Sequence, residues 1–149
     1  MLSATSEYAI RALIDLTRHE AEWPIPGPVI AERAGIPQRY LSKILGDLVR
    51  AGQLEGSRGK NGGFRMTRSP KDIRLSEVLI HFEPISGNRR ECPFGNTECS
   101  DLDPCAGHHR WKVIREAYER FLRETSVYDV AFKESEHSIG NSGSKRKAL

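Results

Sequence analysis

The stretch QRYLSKILGDLVRAG, residues 38–52, constrains the fold more than any other. Leu41, Ile44, Leu45, Leu48 and Val49 recur at the spacing of one helical face. Arg39, Lys43, Gly46 and Arg50 fall on the opposite face. A helix with an apolar back and a small, basic front packs on a core and offers cations outward, which suits a DNA major groove. Gly52 ends it.

The neighbours of this helix narrow the reading. Residues 29–34 make a short helix with Val29, Ile30 and Ala34 inward. Gly35 supplies a turn with positive φ, and Pro37 suits the first turn of the helix that follows. Downstream, QLE and GFRMTR bracket the turn GSRGKNGG, residues 56–63, with Arg58 and Lys60 near its tip. Phe64 and Met66 point one way, Arg65 and Thr67 the other. A short helix pair occurs in many folds, and a Gly-rich turn can be only a turn. Their order predicts a winged helix-turn-helix.

Charge supports that order. The net charge is only +3, but nine basic residues against three acidic ones lie between Gln38 and Arg74. Such a local excess is the footprint of a surface that meets polyphosphate. Elsewhere Ser3 to Arg18 reads as a helix with Ile10, Leu13, Ile14 and Leu16 inward and Ser3 or Thr5 as its cap. EWPIPGP, residues 22–28, is a Pro-rich break, and helix resumes near Leu75. A long helix runs from about His108 to Arg123 or beyond, with Trp111, Ile114, Tyr118, Phe121 and Thr125 at the spacing of a helix that pairs with another helix. The polar, Gly/Ser-rich end is expected to be disordered, its Lys145-Arg146-Lys147 run included.

All three cysteines, Cys92, Cys99 and Cys105, fall in one loop-like segment, ECPFGNTECSDLDPCAGHH. No basic-then-apolar leader and no long apolar run is present, which predicts a cytoplasmic chain with no membrane partner. A reducing compartment and an odd count argue against structural disulfides. The spacers of six and five residues lack the close pairs of zinc motifs and differ from ferredoxin runs. Three thiolates surround one centre only if the loop wraps it, with His108 the nearest fourth donor and His109 pointing elsewhere. An iron–sulfur cluster, a zinc staple, bare redox thiols favoured by Arg89, Arg90 and His108, and chance composition all stay open on spacing alone. A cysteine nucleophile of an enzyme is disfavoured, since none sits beside a base and an oxyanion site.

Over residues 1–130 the sequence resembles the Rrf2 family of bacterial winged-helix regulators. The motifs are YAIRALIDL, IAERAGIPQRYLSKILGDLVRAG, SRGKNGGFRM, DIRLSEVL and the three-cysteine loop before the long helix. The resemblance implies a homodimer that binds a palindromic operator in double-stranded DNA under the control of an iron–sulfur cluster. It assigns Cys92, Cys99 and Cys105 as cluster ligands, with a first spacer of six residues where IscR-like members have five. His108 matches the histidine ligand of the IscR-like, two-iron branch. Glu7 falls where NsrR-like members supply an acidic ligand across the dimer to a four-iron cluster. The reading leans to His108 and two irons.

Further, the resemblance places Gln38, Arg39, Tyr40, Ser42 and Lys43 at the positions that meet the major groove, and Arg58, with Lys60 beside it, on the wing that enters the minor groove. Ser42 and Lys43 stand where IscR-like members carry Glu and Gln, so their operator preference does not transfer. The expected architecture is mainly α with a small β-hairpin wing. It comprises a DNA-binding domain over 1–82, a cluster loop over 83–108, a dimerisation helix over 109–132 and a tail over 133–149. The alternative keeps the winged helix and makes the cysteines a zinc site or a direct thiol switch.

Overall fold

A computed structural model of the protein describes residues 2–83 and 92–132. Helix α1 spans Ala4–Arg18, with Ser3 as its cap: the Ser3 hydroxyl accepts from the Ser6 N–H at 3.2 Å. Ala9, Ala12, Leu13 and Leu16 are fully buried, whereas Ile10 and Ile14 are half-buried. The buried stripe is therefore rotated from the one drawn through the isoleucines. Alanines on that face let neighbouring helices approach closely, and α1 is packed on by several of them.

Helix α2, Gly27–Ala34, begins before Val29 because Pro28 suits a first helical turn. Gly35 closes it in the left-handed conformation, φ +63°, and Ile36 N–H returns to Ala31 O at 2.9 Å. Helix α3 then spans Gln38–Arg50, with Pro37 at its cap position. Leu41, Ile44, Leu45 and Leu48 are buried as expected, and Val49 lies at the edge of the stripe, exposed. Helices α1, α2 and α3 pack on one another, so the outer face of α3 is set by burial of the inner one.

Strands β1, Leu54–Ser57, and β2, Gly63–Met66, form an antiparallel hairpin in which buried Leu54 faces buried Met66. The Pro-rich break holds this wing in place. Ile25 and Phe64 exchange backbone hydrogen bonds at 2.9 Å in both directions. Only glycine fits at 63, since a Cβ there would run into the Ile25 carbonyl.

Helix α4 spans Leu75–Leu79, and the Glu77 carboxylate accepts from the Arg74 N–H at 3.0 Å at its start. Helix α5 spans His108–Glu124 and packs on α4. The expected single helix to residue 132 divides here. Thr125 is extended, and Ser126 caps a separate helix α6, Val127–Ala131, with Asp129 returning the bond to Ser126 N–H. Leu75 N–H to Thr125 O at 3.0 Å and Val127 N–H to Ile73 O at 2.9 Å fasten this break beside α4. Val127 and Ala131 then join the core against α1. The expected tail, 133–149, lies outside the described residues. Among those described, no helix is long and apolar enough to cross a membrane.

Candidate metal centre and nucleic-acid interface

Residues 92–107 run without helix or strand into the first turn of α5. Cys92 and Cys99 are buried and Cys105 is half-buried. They do not form one triangle. The sulfurs of Cys92 and Cys105 share a hydrogen bond at 3.4 Å. Cys99 Sγ instead lies 3.4 Å from His108 Nδ1. His108 is 2% exposed and opens α5, its N–H bonded to Cys105 O at 3.0 Å.

Polar side chains complete the second pair. His108 Nε2 lies 2.8 Å from Asp101 Oδ1. Lys112 Nζ donates to both Asp101 oxygens, at 2.9 and 2.7 Å. Arg115 donates to Cys99 Sγ at 3.1 Å. Hydrogen bonds from Lys112 and then His108 hold the Asp101 carboxyl at about 2. In the first pair the thiols differ. The Phe94 N–H stabilises the Cys92 thiolate and lowers its pKa, whereas the hydrogen bond to Cys92 raises that of Cys105.

The donor types suit a soft metal. Thiolate and imidazole bonds of about 2.3 and 2.0 Å at a tetrahedral metal separate two donors by about 3.5–3.8 Å. Each pair is near that spacing. Among the described residues, however, no three Cys, His, Asp or Glu side chains stand close enough together to hold one ion. Cys92, Cys99, Cys105 and His108 thus stand as two separate two-donor contacts.

Glu7 is exposed in the first turn of α1 and joins neither pair. Its neighbour Ser6 and Ser3 bind the Glu83 carboxylate, which fastens the chain just before the cysteine segment to α1. His109 is exposed, and Arg89 and Arg90 lie outside the described residues. Sequence reasoning missed Asp101, Lys112 and Arg115. A signal existed for the last two: they follow His108 by four and seven residues, on the same helical face.

On the other side of the molecule's sequence plan, Gln38, Arg39, Tyr40, Ser42 and Lys43 are all exposed on the first turns of α3. The Ser42 hydroxyl donates to Gln38 O at 3.0 Å, and the Arg39 guanidinium lies 5.6 Å from the centre of the Tyr40 ring. Arg58 and Lys60 are exposed between β1 and β2. Arg50, Arg65 and Arg68 are each paired with a carboxylate, from Asp47, Glu55 and Glu77. Among the described residues Arg39, Lys43, Arg58 and Lys60 have no such pairing, so their charge is available to a ligand.

A family profile described as "Rrf2: Iron-dependent Transcriptional regulator" matches residues 2–133. The HTH-type transcriptional regulator IscR of Xenorhabdus nematophila is 30% identical over 130 residues, 87% of this chain and 77% of its own. The solved structure of T. potens IscR superposes with a TM-score of 0.69 at 25% identity, covering 87% of this chain and 85% of that one. The structure of CymR, the global cysteine regulator of B. subtilis, superposes with a TM-score of 0.70 at 24% identity, covering 88% and 95%.

Proposed function

Because the chain belongs to the Rrf2 family of transcriptional regulators, we propose that it binds a palindromic operator as a homodimer and that an iron–sulfur cluster controls this binding. As a member of that family it is a DNA-binding transcriptional regulator and not an enzyme. Such a protein works in the cytoplasm.

Cys92, Cys99, Cys105 and His108 would hold the cluster. The observation that carries this reading is the division of those donors into a Cys92–Cys105 pair and a Cys99–His108 pair. That division is compatible with two irons, each held by two donors, which is the centre proposed here in preference to four irons or zinc. Glu7 is the ligand of the four-iron alternative. When bound, the cluster supplies a group that responds to oxidants, nitric oxide and iron supply.

The chain's own residues couple that group to DNA. His108 is both a donor and the first residue of α5, so the state of the loop bears directly on this helix. Ile114, Phe121 and Val113 of α5 expose apolar side chains in the single chain, the surface a second copy would cover. Two α3 helices of such a dimer would meet half-sites about 34 Å apart. Gln38, Arg39, Tyr40, Ser42 and Lys43 would meet the major groove, and Arg58 and Lys60 the backbone and minor groove. A coupling of about 1–3 kcal/mol changes operator affinity roughly 5- to 150-fold.

Anaerobic reconstitution with iron and sulfide tests the proposal. The expected result is a coloured protein with iron and sulfide in equal amounts and an operator affinity different from that of the apo form. A protein that stays colourless and iron-free after reconstitution overturns it. One observation favours a second reading: the Cys92 and Cys105 sulfurs are 3.4 Å apart and unequal in acidity, as in a thiol pair ready to oxidise. Metal analysis beside thiol counting separates the two, since a bare thiol switch shows three titratable thiols and no metal.

A further inference from the structure

We infer that Asp101 is a positioning residue that fixes which nitrogen of His108 faces the metal: Nδ1, beside Cys99, and not Nε2. This rests on the reading of His108 as a cluster ligand and goes beyond it, because a histidine can ligate through either nitrogen.

A neutral imidazole carries one proton. Nε2 lies 2.8 Å from Asp101 Oδ1, and an ionised carboxylate can only accept, so the proton resides on Nε2. The lone pair is then on Nδ1, 3.4 Å from Cys99 Sγ. Asp101 is itself held from behind. Lys112 Nζ reaches both of its oxygens, at 2.9 and 2.7 Å, from one helical turn beyond His108 on α5. The ring is 2% exposed, which leaves little access for water to compete for either nitrogen. Turning the ring over would break the bond to Asp101. Arg115 also donates to Cys99 Sγ at 3.1 Å, so the sulfur beside Nδ1 is held from α5 as well. A carboxylate behind a ligating histidine sets its tautomer and raises its basicity, and its loss typically costs about 10–100-fold in metal affinity. The loop supplies the carboxylate and α5 supplies both the imidazole and the ammonium, so the pairing also fastens the loop to the helix.

Nitrogen couplings in the reduced, anaerobically reconstituted full chain test the inference. The protein is produced with histidine labelled with nitrogen-15 at δ1 only or at ε2 only, and pulsed electron paramagnetic resonance reads the coupling. His108→Ala identifies which signal belongs to this residue. The expected result is a strong, directly bonded coupling from the δ1 label and a weak, remote one from the ε2 label. A strong coupling from ε2 overturns the inference while leaving His108 a ligand. No coupling that His108→Ala removes would overturn the ligand reading and this inference with it.

Two variants test the role of Asp101 itself, whose side chain is 64% exposed and so carries little of the fold. Asp101→Ala should shorten the lifetime of the cluster against a chelator by about tenfold or more. Asp101→Asn keeps an acceptor oxygen and should recover most of that loss. An alanine variant with wild-type couplings and lifetime, or an asparagine variant no better than alanine, overturns the positioning role.

Discussion

Arg115 donates to Cys99 Sγ at 3.1 Å, from the face of α5 that also carries His108. A cation hydrogen-bonded to a ligating sulfur stabilises the more negative, reduced state of a cluster. Arg115→Ala should therefore lower the reduction potential of the reconstituted protein by about 40 mV, the equivalent of about 1 kcal/mol in a one-electron couple. A redox titration followed by the reduced-cluster resonance measures it. A potential equal to wild type would remove Arg115 from the electrostatics of the site.

The Glu83 carboxylate accepts from the Ser3 N–H at 2.6 Å and the Ser6 hydroxyl at 2.7 Å. These bonds from Ser3 and Ser6 hold its pKa below the ordinary glutamate value. The folded pKa is thus the lower one. Its contribution to stability is complete above the unfolded pKa and is lost as pH falls through the folded value. Glu83→Gln should cost about 1 kcal/mol at neutral pH. The gap between variant and wild type should close on acidification below about pH 4. Urea unfolding of the apo protein across that range checks both, and a gap that persists at pH 3 would contradict the assignment.

Gly63 faces the backbone of Ile25, and a Cβ would overlap the Ile25 carbonyl. Gly63→Ala should break the Ile25–Phe64 pairing that seats the wing and cost about 1–3 kcal/mol, the usual range for overpacking. Thermal melting measures the loss, and amide exchange at Ile25 and Phe64 should accelerate most. Wild-type exchange at both positions would show that the wing does not depend on this contact.

What could be read from the sequence was what repeats locally. The stripe through Leu41, Ile44, Leu45 and Leu48 and the Gly-rich turn after β1 are each written in neighbouring residues, so α3 and the wing follow directly. The buried face of α1 is not, because Ala9 and Ala12 gain their place from close packing and not from hydrophobicity. The Ile25–Phe64 pairing joins segments with no shared pattern. The break after Glu124 was written as Ser126 followed three residues later by Asp129, but a heptad spacing that continues through Thr125 masks it. The thiols were found and their partnership was not. Cys92 pairs with Cys105, the farther of the two other thiols along the chain, and no count of intervening residues encodes the path of an irregular loop.

Arg58 is exposed at the tip of the wing and has no carboxylate partner among the described residues. Narrow minor grooves concentrate negative potential, and an unpaired guanidinium entering one gains most from it. On a duplex selected in vitro with the wild-type protein, Arg58→Ala should weaken binding about tenfold and reduce the salt slope by about one. The visible spectrum of the reconstituted variant should be unchanged. A gel-shift series over salt measures the slope; wild-type affinity and slope would exclude the wing from the contact.

Ile114 is 59% exposed and Phe121 50% exposed on α5, although both are large and apolar. Nothing among the described residues covers them, while α5 packs on α4 and buries Leu122. A second copy presenting the same helix would cover them symmetrically. Ile114→Glu then places a charge at the centre of that contact while changing only a surface position of the folded chain, where substitutions usually alter stability by less than about 0.5 kcal/mol. Light scattering should report a shift from dimer to monomer at micromolar concentration, with an unchanged helical spectrum and melting curve. Operator affinity should fall by about 100-fold or more, because each half-site is then bound without its linked neighbour. A variant that stays dimeric and binds the operator as the wild type does would show that α5 is not the dimer seam.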